Sequence, residues 1–127
     1  MQETVNKRGL ESEFYTDEKC YIAELSNTPD DPDVSLARAR VEPGVTTRRH
    51  RLKGIAERYY ILSGKGRVEI GELPSREVQA GDVILIPPMC TQRISNIGKV
   101  DLLFLAICTP RFTRDAYIDV ENLTSPL

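Results

Sequence analysis

Apolar positions in this chain recur with a period of two in short stretches, broken by Gly, Pro, Asn or Asp at intervals of roughly ten residues. Val34 to Val41 shows the alternation most clearly, with Leu36, Arg38 and Arg40 on one face and Ser35, Ala37, Ala39 and Val41 on the other. The small-residue face is read as the inward one; with the opposite choice, Arg38 and Arg40 become anion ligands. Glu18 to Leu25 reads as a first strand and is followed by a Pro- and Asp-rich surface loop. Further strands are predicted at Arg67 to Ile70, Glu77 to Gln79, Thr91 to Asn96 and Val100 to Cys108. Val83 to Ile86 is apolar on both faces and is predicted to be buried on both. A turn of helix is expected near Arg114 to Tyr117. No segment carries a sustained 3.6-residue stripe, so the pattern predicts an all-β fold, a small jelly-roll β-barrel.

The stretch from Gly44 to Gly64 holds the candidate chemistry. Read as a hairpin closed by Lys53 to Ala56, it sets His50 opposite Glu57, Arg48 opposite Tyr59 and Thr46 opposite Ile61. Directly opposed residues share a face, so an imidazole, a carboxylate, a guanidinium and a phenol converge. Such a set is costly to bury unless its members pair with one another or with a ligand. Arg49, Arg51 and Arg58 alternate away from that face and read as a solvated rim. Phe104, Cys108 and Ile94 are expected to form an apolar wall, and Tyr60 to point outward into a sheet or subunit contact.

A length of 127 residues allows one domain with one substantial core. The barrel core is placed at about 18–110, with an N-terminal arm, 1–17, and a tail, 111–127. A net charge of −2 argues against nucleic acid as a partner. The three cysteines, Cys20, Cys90 and Cys108, are odd in number and form no C-x-x-C pair, which points to reduced thiols and a cytoplasmic location. Cys90 is a candidate reactive thiol, but no basic residue adjoins it and a passive role is the expectation. The polar N-terminus and the short apolar runs predict no membrane association.

Two glycine-anchored motifs then stand out. Gly44, His50, Leu52, Glu57 and Gly64 resemble the first cupin motif, G-x5-H-x-H-x4-E-x6-G. Gly81, Pro87, Met89, Gln92 and Asn96 resemble the second, G-x5-P-x-G-x2-H-x3-N. The resemblance runs from roughly Val34 to Pro110 and implies a single-domain cupin that pairs as a homodimer, with the first strand as a natural place for pairing. It also implies a site for one divalent metal held by two histidines and a glutamate of the first motif and a histidine of the second. His50 and Glu57 match that set, whereas Leu52 and Gln92 occupy the places of the other two histidines.

Three functions follow from these residues. In the first, the chain is a small enzyme acting on a small anionic molecule by oxygenase, decarboxylase, lyase or isomerase chemistry. His50, Glu57 and Gln92 then hold a divalent Fe, Mn, Ni, Cu or Zn ion, and Arg48, Tyr59, Gln92 and Phe104 bind substrate. In the second, the barrel binds or senses a small molecule without turning it over. In the third, no metal takes part: His50 and Glu57 form an acid–base pair, with Tyr59 as an acid, in an isomerase or epimerase.

Overall fold

Ser35, Ala39 and Val41 turn inward from one strand while Arg38 and Arg40 turn outward, as the alternation predicted. The outward arginines are held by Glu13, with Arg40 also reaching Asp101 and lying over the Tyr21 ring. The computed structural model describes residues 1–7 and 9–121 and is built on two antiparallel sheets. One has six strands in the order β1 (Phe14–Tyr15), β2 (Tyr21–Ser26), β3 (Ser35–Val41), β10 (Leu102–Thr109), β5 (Ala56–Ser63) and β8 (Val83–Ile86). The other has five, in the order β11 (Tyr117–Asp119), β4 (His50–Leu52), β9 (Gln92–Asn96), β6 (Lys65–Ile70) and β7 (Arg76–Gln79). Short 3-10 turns at Gly9–Ser12 and Arg114–Ala116 complete the described elements. The all-β jelly-roll reading therefore holds.

The inward faces meet in a core that includes Val41, Ile61, Ile94, Leu102 and Phe104. A second cluster of Leu52, Ile55, Cys108 and Ala116 sits beside it, packed by Phe112 and Tyr117. Asn96, the last residue of the second motif, is buried with its amide satisfied: it donates to the carbonyls of Val41 and Val100 at 2.8 Å each and accepts from the Gly98 amide at 2.9 Å. Gly64 has φ +90°, and a Cβ there would stand 2.8 Å from the Asp101 carbonyl oxygen. Both the conformation and the close backbone approach require glycine. Gly64→Ala is expected to cost about 1–3 kcal/mol, read as a lowered midpoint in thermal or denaturant unfolding.

Three expectations fail. The stretch from Gly44 to Gly64 is not a hairpin: β4 pairs with β9 and β11, while β5 pairs with β10 and β8. Residues 53–55 thus carry the chain from one sheet to the other, Thr46 bridges Ser95, and Ile61 lies opposite Phe104. Nor is β8 buried on both faces. Ile84 and Ile86 point inward, but Val83 and Leu85 are 58% and 68% exposed because no described residue covers the outer face of this edge strand. Finally, Glu18 lies in the turn before β2, which begins only at Tyr21.

Candidate functional site

Strand alternation turns His50 and Leu52 of β4 inward and turns Arg51 outward, where it stays half-buried. On β5 the same rule turns Glu57, Tyr59 and Ile61 inward. Because β4 and β5 belong to opposite sheets, His50 and Glu57 approach the interior from its two sides, and both line one inner cavity of about 60 Å³. Tyr59 and Phe104 line it too, their ring centroids 4.5 Å apart. Ile94 contributes to its wall as expected, whereas Cys108 sits behind Glu57. This chamber shares Glu18, Ile22, Phe112 and Tyr117 with an outer vestibule of about 740 Å³. Those four residues form the neck between the two.

His50 is buried, and its Nδ1 lies 3.0 Å from the Arg48 carbonyl and 3.4 Å from a Glu18 carboxylate oxygen. A carbonyl only accepts, so Nδ1 carries the proton in the neutral ring and Nε2 is left as the basic nitrogen. Tyr117 stacks on the imidazole with centroids 4.8 Å apart and planes 21° from parallel, fixing the ring.

Glu57 is 8% exposed, and burial pushes its carboxyl up to about 7, with Glu18 adding to the effect and His50 opposing it. The Gln92 side chain and the Cys108 thiol, 3.7 Å from Oε2, partly offset the rise, while among the described residues no donor comes within ordinary hydrogen-bond distance of Oε1. Burial also raises Glu18, again opposed by His50 and reinforced by Asp119. Tyr59 is held well above the ordinary phenol value by burial, so it remains a neutral phenol. Its hydroxyl donates to Gln92 Oε1 and thereby ties β5 to β9 across the interior.

Several predicted roles change with this geometry. Arg48 is not among the residues lining the chamber; its Nε donates to Asp119 at 2.6 Å, and Asp119 lines the outer vestibule, so Arg48 is not placed to clamp a substrate in the chamber. Gln92 is 1% exposed, engaged by Tyr59, and is not among the residues lining the cavity. Cys90 is half-buried with its thiol raised by burial, in keeping with a passive role. Tyr60 points outward as predicted and is 40% exposed. Glu18 and Tyr117 escaped prediction. Glu18 lies in a turn without periodicity, and the only signal for Tyr117 was the short alternation of Tyr117, Ile118 and Asp119.

The donor set does not fit a resident divalent ion. Leu52 fills one expected ligand place with an apolar side chain that belongs to the second core cluster. The Gln92 oxygen is committed to Tyr59, and among the described residues no three of His, Cys, Asp or Glu gather as a ligand set. Of the four ligand places only those of His50 and Glu57 keep a coordinating side chain, short of the three protein ligands usual at a catalytic zinc. Glu18 lines the same cavity but faces His50 Nδ1, the nitrogen directed at the Arg48 carbonyl.

Comparison with known proteins agrees with the fold. The Cupin domain family model matches residues 37–108. An uncharacterized protein of Methanocaldococcus jannaschii is 38% identical over 81 residues, covering 64% of each chain. Oxalate decarboxylase OxdC of Bacillus subtilis is 34% identical over 107 residues, which is 81% of this chain but 27% of that enzyme. Each of these alignments thus spans less than two thirds of the relative. The crystal structure of a predicted oxalate decarboxylase from Thermotoga maritima superposes with a TM-score of 0.66 at 29% identity, covering 72% of this chain and 80% of that one. No helix among the described residues is long and apolar enough to cross a membrane.

Proposed function

The chain belongs to the cupin family, and from that premise we propose that it is a metal-independent acid–base enzyme, an isomerase or lyase acting on a small molecule that reaches into the barrel. The observation that carries this reading is the placement of His50 and Glu57 on opposite walls of one small chamber. His50, with its Nδ1 proton directed at the Arg48 carbonyl, offers Nε2 as a base for a C–H proton beside a carbonyl. Glu57 retains a proton near neutrality and is suited to deliver it to a departing hydroxyl or to an enolate oxygen. Proton abstraction and proton delivery then balance. In elimination the C–H pair forms the new double bond and the hydroxyl leaves as water, with solvent restoring both protonation states. In isomerisation the enolate oxygen takes the Glu57 proton to give an enediol, and the rearranged carbonyl forms as His50 returns its proton to the neighbouring carbon and Glu57 takes one back from the enediol hydroxyl. Tyr59 serves as a positioning group, since its own proton is directed at Gln92.

The expected anionic substrate rested on Arg48, whose guanidinium is bound to Asp119. Among the described residues, the wall of the inner chamber holds two carboxyl groups and no Lys or Arg. An oxalate-like dianion would therefore meet two acids there with neither Lys nor Arg to balance it, so the relative's substrate is not carried over.

A direct test is proton exchange in D2O with a panel of small ketones and hydroxy ketones, followed by NMR. The wild-type protein is expected to wash deuterium into at least one compound or to eliminate water from it, at a rate unchanged by a chelator. Activity that disappears with chelator and returns with a divalent metal contradicts the reading. Saturable binding with neither exchange nor turnover supports the second function, a binding barrel, which the apolar Leu52 at a ligand position favours.

Homodimerisation belongs to the same proposal, and cytoplasmic residence is supported by three free cysteines. Besides the edge of β1, the outer face of β5 and β8 offers Tyr60, Leu62, Val83 and Leu85, all exposed. Apolar clusters of this kind mark contact surfaces. Light scattering at micromolar concentration is expected to give the mass of a dimer, and Leu85→Glu that of a monomer. A monomeric wild type contradicts this assignment.

A further inference from the structure

The charge and ring content of the inner chamber carry more than its acid–base pair. Four aromatic rings, Tyr59, Phe104, Phe112 and Tyr117, line it together with the carboxyl groups of Glu18 and Glu57. Glu57 Oε1 is buried, with no donor within ordinary hydrogen-bond distance among the described residues, in a side chain that is 8% exposed and faces the cavity. Buried acceptors of this kind are rarely left without a partner, and a ligand that donates to one relieves its desolvation. Carboxylates combined with aromatic faces are the recognition chemistry of ammonium groups: the ring quadrupoles attract the cation, and the acids accept its N–H bonds. A carboxylate or phosphate in the same place would face two acids with neither Lys nor Arg among the described lining residues.

The chamber of about 60 Å³ admits a small head group only, and it opens through the neck at Glu18 and Tyr117 into the vestibule of about 740 Å³. Phe14 and Tyr15 line that vestibule and are 49% and 58% exposed, flat surfaces for a ring to lie on. The vestibule also carries both signs of charge, Asp17 and Glu24 against Arg111 and Arg114. Selection by charge is therefore set in the chamber.

We propose that the inner chamber seats the ammonium group of a ring-bearing amine, donating to Glu57 Oε1 and Glu18 among the four aromatic faces, while the ring lies in the vestibule. The assignment rests on the acid–base reading of the same pocket and narrows its substrate class to a ring-bearing amine that also carries a carbonyl with an adjacent C–H bond.

The experiment uses the intact protein and three matched probes, benzylamine, benzyl alcohol and benzoate, titrated at pH 7.5 and followed by NMR shift changes of Tyr117 and His50. Benzylamine is expected to saturate those shifts and to bind at least about tenfold more tightly than benzoate, with benzyl alcohol between them. Glu18→Gln, checked by its melting curve, is expected to narrow the gap between benzylamine and benzyl alcohol. Benzoate binding as tightly as benzylamine overturns the proposal, as does benzyl alcohol matching benzylamine or a failure of benzylamine to saturate. The wild-type probe order needs no variant to fold.

The two readings fail separately. If His50→Gln keeps the probe order and no compound exchanges deuterium in the wild type, the amine site stands and the enzyme reading falls. If exchange occurs but benzoate binds best, the enzyme reading stands and the amine site falls.

Discussion

His50→Gln is expected to abolish proton exchange and turnover, lowering the rate by about 10²- to 10⁴-fold, the range contributed by a positioned general base. Gln is close to His in length and keeps a donor that can reach the Arg48 carbonyl, but it has no basic nitrogen in place of Nε2. His50 is buried and stacked on Tyr117, so folding must be checked beside activity. A native circular dichroism spectrum with a lost rate locates the defect in the chemistry. A rate within a few-fold of wild type removes His50 from the mechanism, because no other histidine exists in the chain.

Glu57→Gln is expected to stabilise the protein above neutrality while it loses activity. The buried carboxyl has its folded-state value raised to about 7 from the ordinary 4.5. The folded state therefore binds this proton more tightly than the unfolded state does. The sign follows: Glu57 costs no stability of this origin below about pH 4.5, and stability declines as pH rises toward and through 7. The gap corresponds to about 3 kcal/mol when complete, and Glu18, raised in the same direction, adds to the decline. Wild type and Glu57→Gln should thus have similar unfolding free energies near pH 4.5 and separate by about 3 kcal/mol near pH 8. Parallel curves across that interval show that Glu57 is ionised in the folded state like an ordinary surface carboxylate. A side chain that weakens the fold at the pH where it holds a usable proton fits a site selected for chemistry.

Much of this is legible in the sequence alone, though partly for a mistaken reason. The period-two stretches and their glycine boundaries predicted the barrel, and Gly64 and Asn96 sit in the motifs because the backbone at Asp101 and the carbonyls of Val41 and Val100 demand them. His50, Glu57 and Tyr59 do share an interior space. Their pairing was read as a hairpin because local spacing alone cannot distinguish a tight turn from a short crossover between sheets, which is what residues 53–55 form. That error carried Arg48 inward, whereas its partner Asp119 comes from the tail, 71 residues away in sequence.

Glu18 and Tyr117 reach the neck from a turn and a three-residue strand, elements too short to leave a periodic trace. Val83 and Leu85 looked buried because a four-residue apolar run does not record whether a sheet's outer face is covered. Leu52 and Gln92 were visible as departures from the ligand pattern. Their contacts show what replaced coordination: apolar packing at Leu52 and a tyrosine hydrogen bond at Gln92.

The central claim is that His50 faces a Glu57 that keeps its proton up to neutrality. The most direct measurement is a pH titration of the Glu57 side-chain carboxyl by carbon-13 NMR on untagged protein, with Glu57→Gln assigning the resonance. The account predicts a midpoint near 7, and a midpoint between 4 and 5, in the ordinary glutamate range of about 4.3, contradicts it.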